Sequence, residues 1–219
     1  MRDPLAESDA LRAAAETMRQ VRERCVWSQR ITHRELVPYL IEEAHELIDA
    51  VERDDRAEMR EELGDLLWQV LFHAAVAAQS ASEPFDIDDV ARGLTEKMVR
   101  RHPHVFGDAV ATTPEEVLVH WNAAKAAEKR ERRSVLDGVP AGMPALARAQ
   151  KLLGRAPSAV ERAEGGSAHG RPPASEPELG DALLALVAQA REQGWDAERA
   201  LRERLRLLES EVRAAEQED

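Results

Sequence analysis

Between residues 34 and 79 the apolar side chains recur in steps of three and four, twice over. Leu36, Leu40, Ala44, Leu47, Ile48 and Val51 form one helical stripe; Met59, Leu63, Leu66, Leu67, Val70, Leu71 and Ala74 form a second. Asp54 and Asp55 punctuate between them. Two amphipathic helices joined so briefly fold back on each other, so an antiparallel hairpin is expected over 34–53 and 57–79. Pro38 is compatible with the first of these if it falls in the opening turn.

The remaining chain reads the same way. A helix is expected over 6–24, from the spacing of Leu11, Ala14, Ala15, Met18 and Val21, followed by a loop at 25–36. Residues 80–89 read as a loop ending in a cap, before a helix over 90–101 that stops ahead of Pro103. Thr113 and Pro114 read as N-cap and first position of a helix running through 129. Aromatic residues make up only 4% of the chain, and long Val/Ile/Thr runs are absent. The fold class expected is all-α, an antiparallel helical bundle. Residues 154–177, rich in Gly, Pro, Ser and Ala, read as a flexible linker, with helices resuming at 178.

A formal net charge of −12 repels nucleic-acid polymers from most of the surface, while a small phosphorylated ligand remains compatible with local cations and a metal. Cys25 is the only cysteine, so no internal disulfide can form and a reducing compartment fits. The first residues lack the apolar core of a signal peptide, and no window suits a membrane span. The expected location is the cytoplasm, with no membrane partner.

An internal echo gives the chain its organisation. Glu62-Leu63-Gly64-Asp65-Leu66-Leu67 returns as Glu178-Leu179-Gly180-Asp181-Ala182-Leu183, and Leu94-Thr95-Glu96-Lys97 returns as Leu201-Arg202-Glu203-Arg204. The second copy has no counterpart of the helix bearing Glu42, Glu43 and Glu46, and Leu208 aligns with Arg101. The second repeat is therefore truncated, and two carboxylates on one helix cannot complete a site.

In the first copy, Glu43 and Glu46 are three residues apart, as are Glu62 and Asp65, and such residues share a helix face. If the hairpin packs through the Leu40/Leu47/Val51 and Leu63/Val70 stripes, the four carboxylates can converge beside the seam. Oxygen-only ligands suit a hard ion, Mg²⁺ or in its place Mn²⁺. A solvated acidic face accounts for the same residues about equally well. Glu42 and His45 also match the Glu-x-x-His of di-iron bundles, but no second such pair exists to complete one. Lys97, Arg101, Trp121 and Lys125 offer cations and a flat ring; taken alone, they are explained as readily by solvation and core packing.

Together, Glu42-Glu43-Ala44-His45-Glu46 and Glu62-Leu63-Gly64-Asp65, with EKMVRRHPHVFGD, VLVHWNAAKAAEK and MPALARAQK in order, resemble the MazG-type nucleoside triphosphate pyrophosphohydrolases over roughly residues 8–153. The resemblance implies the all-α NTP pyrophosphatase fold and Mg²⁺-dependent hydrolysis of an NTP or dNTP to its monophosphate and pyrophosphate, for nucleotide-pool cleansing. It implies Glu43, Glu46, Glu62 and Asp65 as metal ligands, with Lys97, Arg101, Trp121 and Lys125 on the nucleotide. Glu42 or Glu61 would orient or deprotonate water, and the sequence does not choose between them. It also implies a homodimer. The family's Cys-Pro-Trp-Asp stands here as Cys25-Val26-Trp27-Ser28, without the Asp. The domains expected are a catalytic one at 8–135, a connecting segment at 136–153, the linker, and a degenerate repeat at 178–216. The competing expectation is a catalytically degenerate helical protein that binds nucleotide or a partner without turnover.

Overall fold

Thr32 starts the central hairpin with a reciprocal cap. Its hydroxyl accepts from the Glu35 N–H at 3.4 Å, and the Glu35 carboxylate accepts from the Thr32 N–H at 2.9 Å. Such a cap contributes about 1 kcal/mol. In this computed structural model, which describes residues 9–128, 134–156 and 172–218, it opens the helix one residue before the 34–53 read from periodicity. The helices before and at the hairpin are α1 (Ala10–Arg24), α2 (His33–Glu52) and α3 (Arg56–Ala77). Pro38 accordingly lies beyond the first turn, inside α2. Its ring nitrogen cannot donate to the Arg34 carbonyl, a loss the helix absorbs.

Asp54 turns the chain between α2 and α3 at φ +55°, a conformation short polar side chains tolerate. Asp55 then accepts from Ala57 and Glu58 to cap α3. There follow α4 (Ile87–Arg101), the single turn α5 (Pro103–Phe106) and α6 (Pro114–Glu128). Against α3 pack α1, α2 and α4, and α4 packs on α6. Met18, Ile31, Leu36, Leu71 and Phe72 form the core of this first unit, which spans Met1–Glu128. Arg22 is buried beside it and donates to the carbonyls of Ser28 and Ile31 and to Gln79, tying the Cys25–Ser28 loop to both α1 and α3.

The hairpin buries only part of each stripe that periodicity picks out. Leu36 and Ala50 are buried on α2, and Gln69, Leu71, Phe72, Ala74 and Ala77 on α3. Leu40, Val51, Leu63 and Val70, expected at the seam, are exposed, as are Val37 and Ile41. The reason lies in α3: apolar residues surround most of its circumference, so spacing alone does not identify the buried flank.

His33 of α2 and His73 of α3 face each other with Nδ1 atoms 2.8 Å apart and rings within 5° of parallel. That contact needs a proton on one Nδ1 and a lone pair on the other. Burial, and then the neighbouring His33, push the His73 pKa down, and its Nε2 is buried without a partner. The unfolded chain therefore takes up a proton that the folded pair resists. Stability is full above pH about 6.5 and falls below it, by at most about 1.4 kcal/mol per pH unit for one proton. Urea midpoints measured from pH 7.5 to 5.5 should show this loss, and His73→Gln should flatten it; an equal slope in the variant would assign the loss elsewhere.

The second unit, Lys129–Asp219, contains α7 (Ala145–Arg155), α8 (Glu176–Glu192) and α9 (Ala197–Glu218). Leu153 of α7, which lies in the segment 136–153, meets Val187 and Ala188 of α8. Gln150 donates to the Trp195 carbonyl at 2.8 Å and accepts from the Ala197 N–H at 3.3 Å, holding α7 to the α8–α9 turn. Gly194 makes that turn at φ +71°. The linker expected at 154–177 falls largely on 157–171, outside the described residues. No described helix is long and apolar enough to cross a membrane.

Candidate metal and phosphate site

Glu43 sits on α2, and Glu62 and Asp65 lie one turn apart on α3. Carboxylate oxygens from all three lie within 4.8 Å of one another, and among the described residues no other group of three metal-ligating side chains gathers this way. Charges brought this close repel. Glu43 is held above the ordinary carboxylate pKa first by burial, then by the charges of Asp65 and Glu46. Glu62 is raised by burial, then by Glu46, Asp65 and Glu43. Glu46 thus stands outside the close group, yet its charge reaches both.

One oxygen distinguishes this group from a solvated acidic face. Oε2 of Glu62 is buried and has no hydrogen-bond partner. A buried carboxylate oxygen without a donor is costly, and a hard cation is the partner an all-oxygen set would take. The donor set fits such an ion. Gln69 supports it from the next turn of α3: its amide hydrogen-bonds Glu43 and it is itself buried. Sequence reasoning passed over Gln69, although it is the one amide in the apolar run Leu66–Phe72 and lies four residues after Asp65.

Glu42 and Glu61 are exposed next to Glu43 and Glu62, and each adds to the repulsion on its neighbour. On α4 and α6 the cationic residues gather separately. The Arg101 guanidinium lies 5.0 Å from the centre of the Trp121 ring. His102 meets the same ring edge-on at 5.1 Å. Arg101 also donates to the Glu128 carboxylate, at 3.2 Å from Nε and 2.6 Å from Nη2, and Arg100 reaches the other oxygen at 3.4 Å. Lys97 and Lys125, half-buried on the same two helices, have no ion pair among the described residues. Glu128 and His102 were also missed, because these contacts join residues far apart in the chain or rest on ring packing.

Comparison with known proteins shows the family. Residues 31–106, which contain all the acidic candidates, match the MazG nucleotide pyrophosphohydrolase domain. The nucleoside triphosphate pyrophosphohydrolase of Escherichia coli (strain K12) is 34% identical over 229 residues, covering 95% of this chain and 86% of the relative. This chain belongs to the MazG family. The nucleoside triphosphate pyrophosphohydrolase/pyrophosphatase MazG of Thermotoga maritima is 38% identical over 84% of this chain and 76% of its own length. An uncharacterized 26.1 kDa protein of Streptomyces cacaoi is 50% identical over 92% of this chain and 80% of its own.

The carboxylate in the sequence echo is used differently. Glu178 accepts from the Ala174 N–H at 2.9 Å, and its own N–H donates to Ser175 Oγ at 3.4 Å, closing the start of α8. The side chain that echoes Glu62 is a helix cap here.

Proposed function

We propose that this chain hydrolyses nucleoside triphosphates, NTP or dNTP, to the monophosphate and pyrophosphate, as its MazG relatives are named for doing. The observation that carries the reading is the Glu43–Glu62–Asp65 group with its unpartnered Glu62 oxygen. These residues, with Glu46 beside them, would hold Mg²⁺ (or Mn²⁺), which neutralises phosphate charge and lowers the pKa of water. Water attacks the phosphoanhydride that joins the α- and β-phosphates, and its P–O bond breaks to release the monophosphate and pyrophosphate. Glu42 or Glu61, exposed at the edge of the group, orients that water or takes its proton. Lys97, Arg101 and Lys125 bind phosphate oxygens, and Trp121 offers a face for the base. Among the described residues of the second unit no comparable group of metal-ligating side chains gathers.

We also propose that two copies associate through the outward face of the hairpin. Val37, Leu40, Ile41 and Val51 lie within about 100° of one another around α2, with Leu63 and Val70 exposed on α3. A two-fold pairing would cover each copy's face with the same face of the other.

A panel of NTPs and dNTPs with Mg²⁺, read out as monophosphate plus pyrophosphate, tests the activity. Turnover should vanish in Glu43→Ala and Asp65→Ala. Diphosphate plus orthophosphate as products, or full activity in those variants, would reject the mechanism. Nucleotide binding without turnover would favour the degenerate binding protein instead.

A further inference from the structure

We propose that Glu128 is a positioning residue: it holds Arg101 over the Trp121 ring so that the free edge of the guanidinium is ready for a substrate phosphate. The inference rests on the reading of Arg101 as a phosphate ligand. Glu128 takes the Nε and Nη2 donors of Arg101, while the Trp121 ring covers one guanidinium face. A guanidinium has five N–H donors, and this geometry commits only the Nε edge. Those contacts leave the Nη1 side for an oxyanion.

The surroundings favour a site over an ordinary surface pair. The Arg101 side chain is only 13% exposed, so its guanidinium is held close to the protein, while Glu128 stands at the surface. Arg101 first, then Arg100, holds the Glu128 carboxyl below the usual carboxylate range. Around it lie Lys97, Arg100 and Lys125 on the same two helices, a cationic concentration in a chain whose formal net charge is −12. A free arginine loses rotamer entropy when it is immobilised, and fixing it beforehand removes that cost from the binding step. Glu128 therefore acts on substrate only through Arg101.

Steady-state kinetics of the full chain with Mg²⁺ and dATP, and inhibition by inorganic triphosphate, test this. Glu128→Ala should raise the KM and the triphosphate Ki by a similar factor, about tenfold, with kcat within about twofold of wild type. Glu128→Gln, which keeps one acceptor oxygen at the same reach, should recover part of the loss. Combined with Arg101→Ala, neither substitution should add to that variant's own rise in KM. An unchanged or lowered KM in Glu128→Ala, beside a raised KM in Arg101→Ala, would overturn the positioning role and leave the phosphate reading standing. A fall in kcat at constant KM would overturn it too. Unchanged KM and Ki in Arg101→Ala would remove the phosphate reading itself, and the inference with it.

Discussion

Glu62→Gln is expected to lower turnover by at least about 100-fold while raising the melting temperature of the metal-free protein. The two effects have one cause. Glu62 and Glu43 have raised pKa values in the folded chain because burial and neighbouring carboxylates disfavour their ionised forms. The folded state thus binds protons more readily than the unfolded state. Stability is greater at low pH and is lost as pH rises through the ordinary value of 4.5 toward the raised one, leaving the deficit present at pH 7. Glutamine removes one charge from the crowd and supplies an amide where Oε2 lacked a partner. It also removes an oxygen of the proposed metal site. Added Mg²⁺ should raise the melting temperature of the wild-type chain, more at pH 7.5 than at pH 4.5, and most of that increment should disappear in Glu62→Gln. Asp54→Asn, at an exposed turn position, should change neither quantity. A metal-free Glu62→Gln that melts below wild type, or a wild type indifferent to Mg²⁺, would return the cluster to a solvated acidic face.

The same residues explain what spacing could and could not convey. Periodicity gave the central helices to within a few residues, since 3.6 residues per turn and capping side chains are local properties. The pairing of Glu62 with Asp65 was legible for the same reason: a three-residue step on a helix fixes a shared face. The orientation of the hairpin was not. Leu63 and Val70 match the buried Leu71 and Ala74 in character, and the choice between them depends on α1 and α4 arriving at α3. Pro38 reads as a first-turn residue only until the Thr32–Glu35 cap moves the helix start. Contacts such as Gln69 on Glu43, or Glu128 on Arg101, arise from tertiary packing and leave no periodic trace. The sequence does mark Glu178 as the echo without a facing carboxylate helix, but not what its side chain does instead. There the Glu178 carboxylate accepts from the Ala174 N–H at the start of α8, where Glu62 has α2 facing it.

The outward flank of the hairpin supplies the other large effect. The double substitution Leu63→Arg, Val70→Arg is expected to convert a dimer to a monomer at micromolar concentration. Both positions are about half exposed, at 52% and 44%, so the folded unit can accommodate arginine there with its charged head in water. In a two-fold interface each substitution appears twice, and burying an unpaired guanidinium costs several kcal/mol. Weakening by about 4 kcal/mol is already about 1,000-fold in Kd. Light scattering coupled to size exclusion reads the mass, and thermal melting of the same sample checks that the unit stays folded. The second unit offers a rival surface. Leu179, Leu183 and Leu186 on α8, and Leu201, Leu205, Leu208 and Val212 on α9, are exposed at steps of three and four. Dimers that survive Leu63→Arg, Val70→Arg but dissociate on Leu183→Arg, Leu205→Arg would move the interface to those rows. The truncated repeat would then be the element that joins two copies.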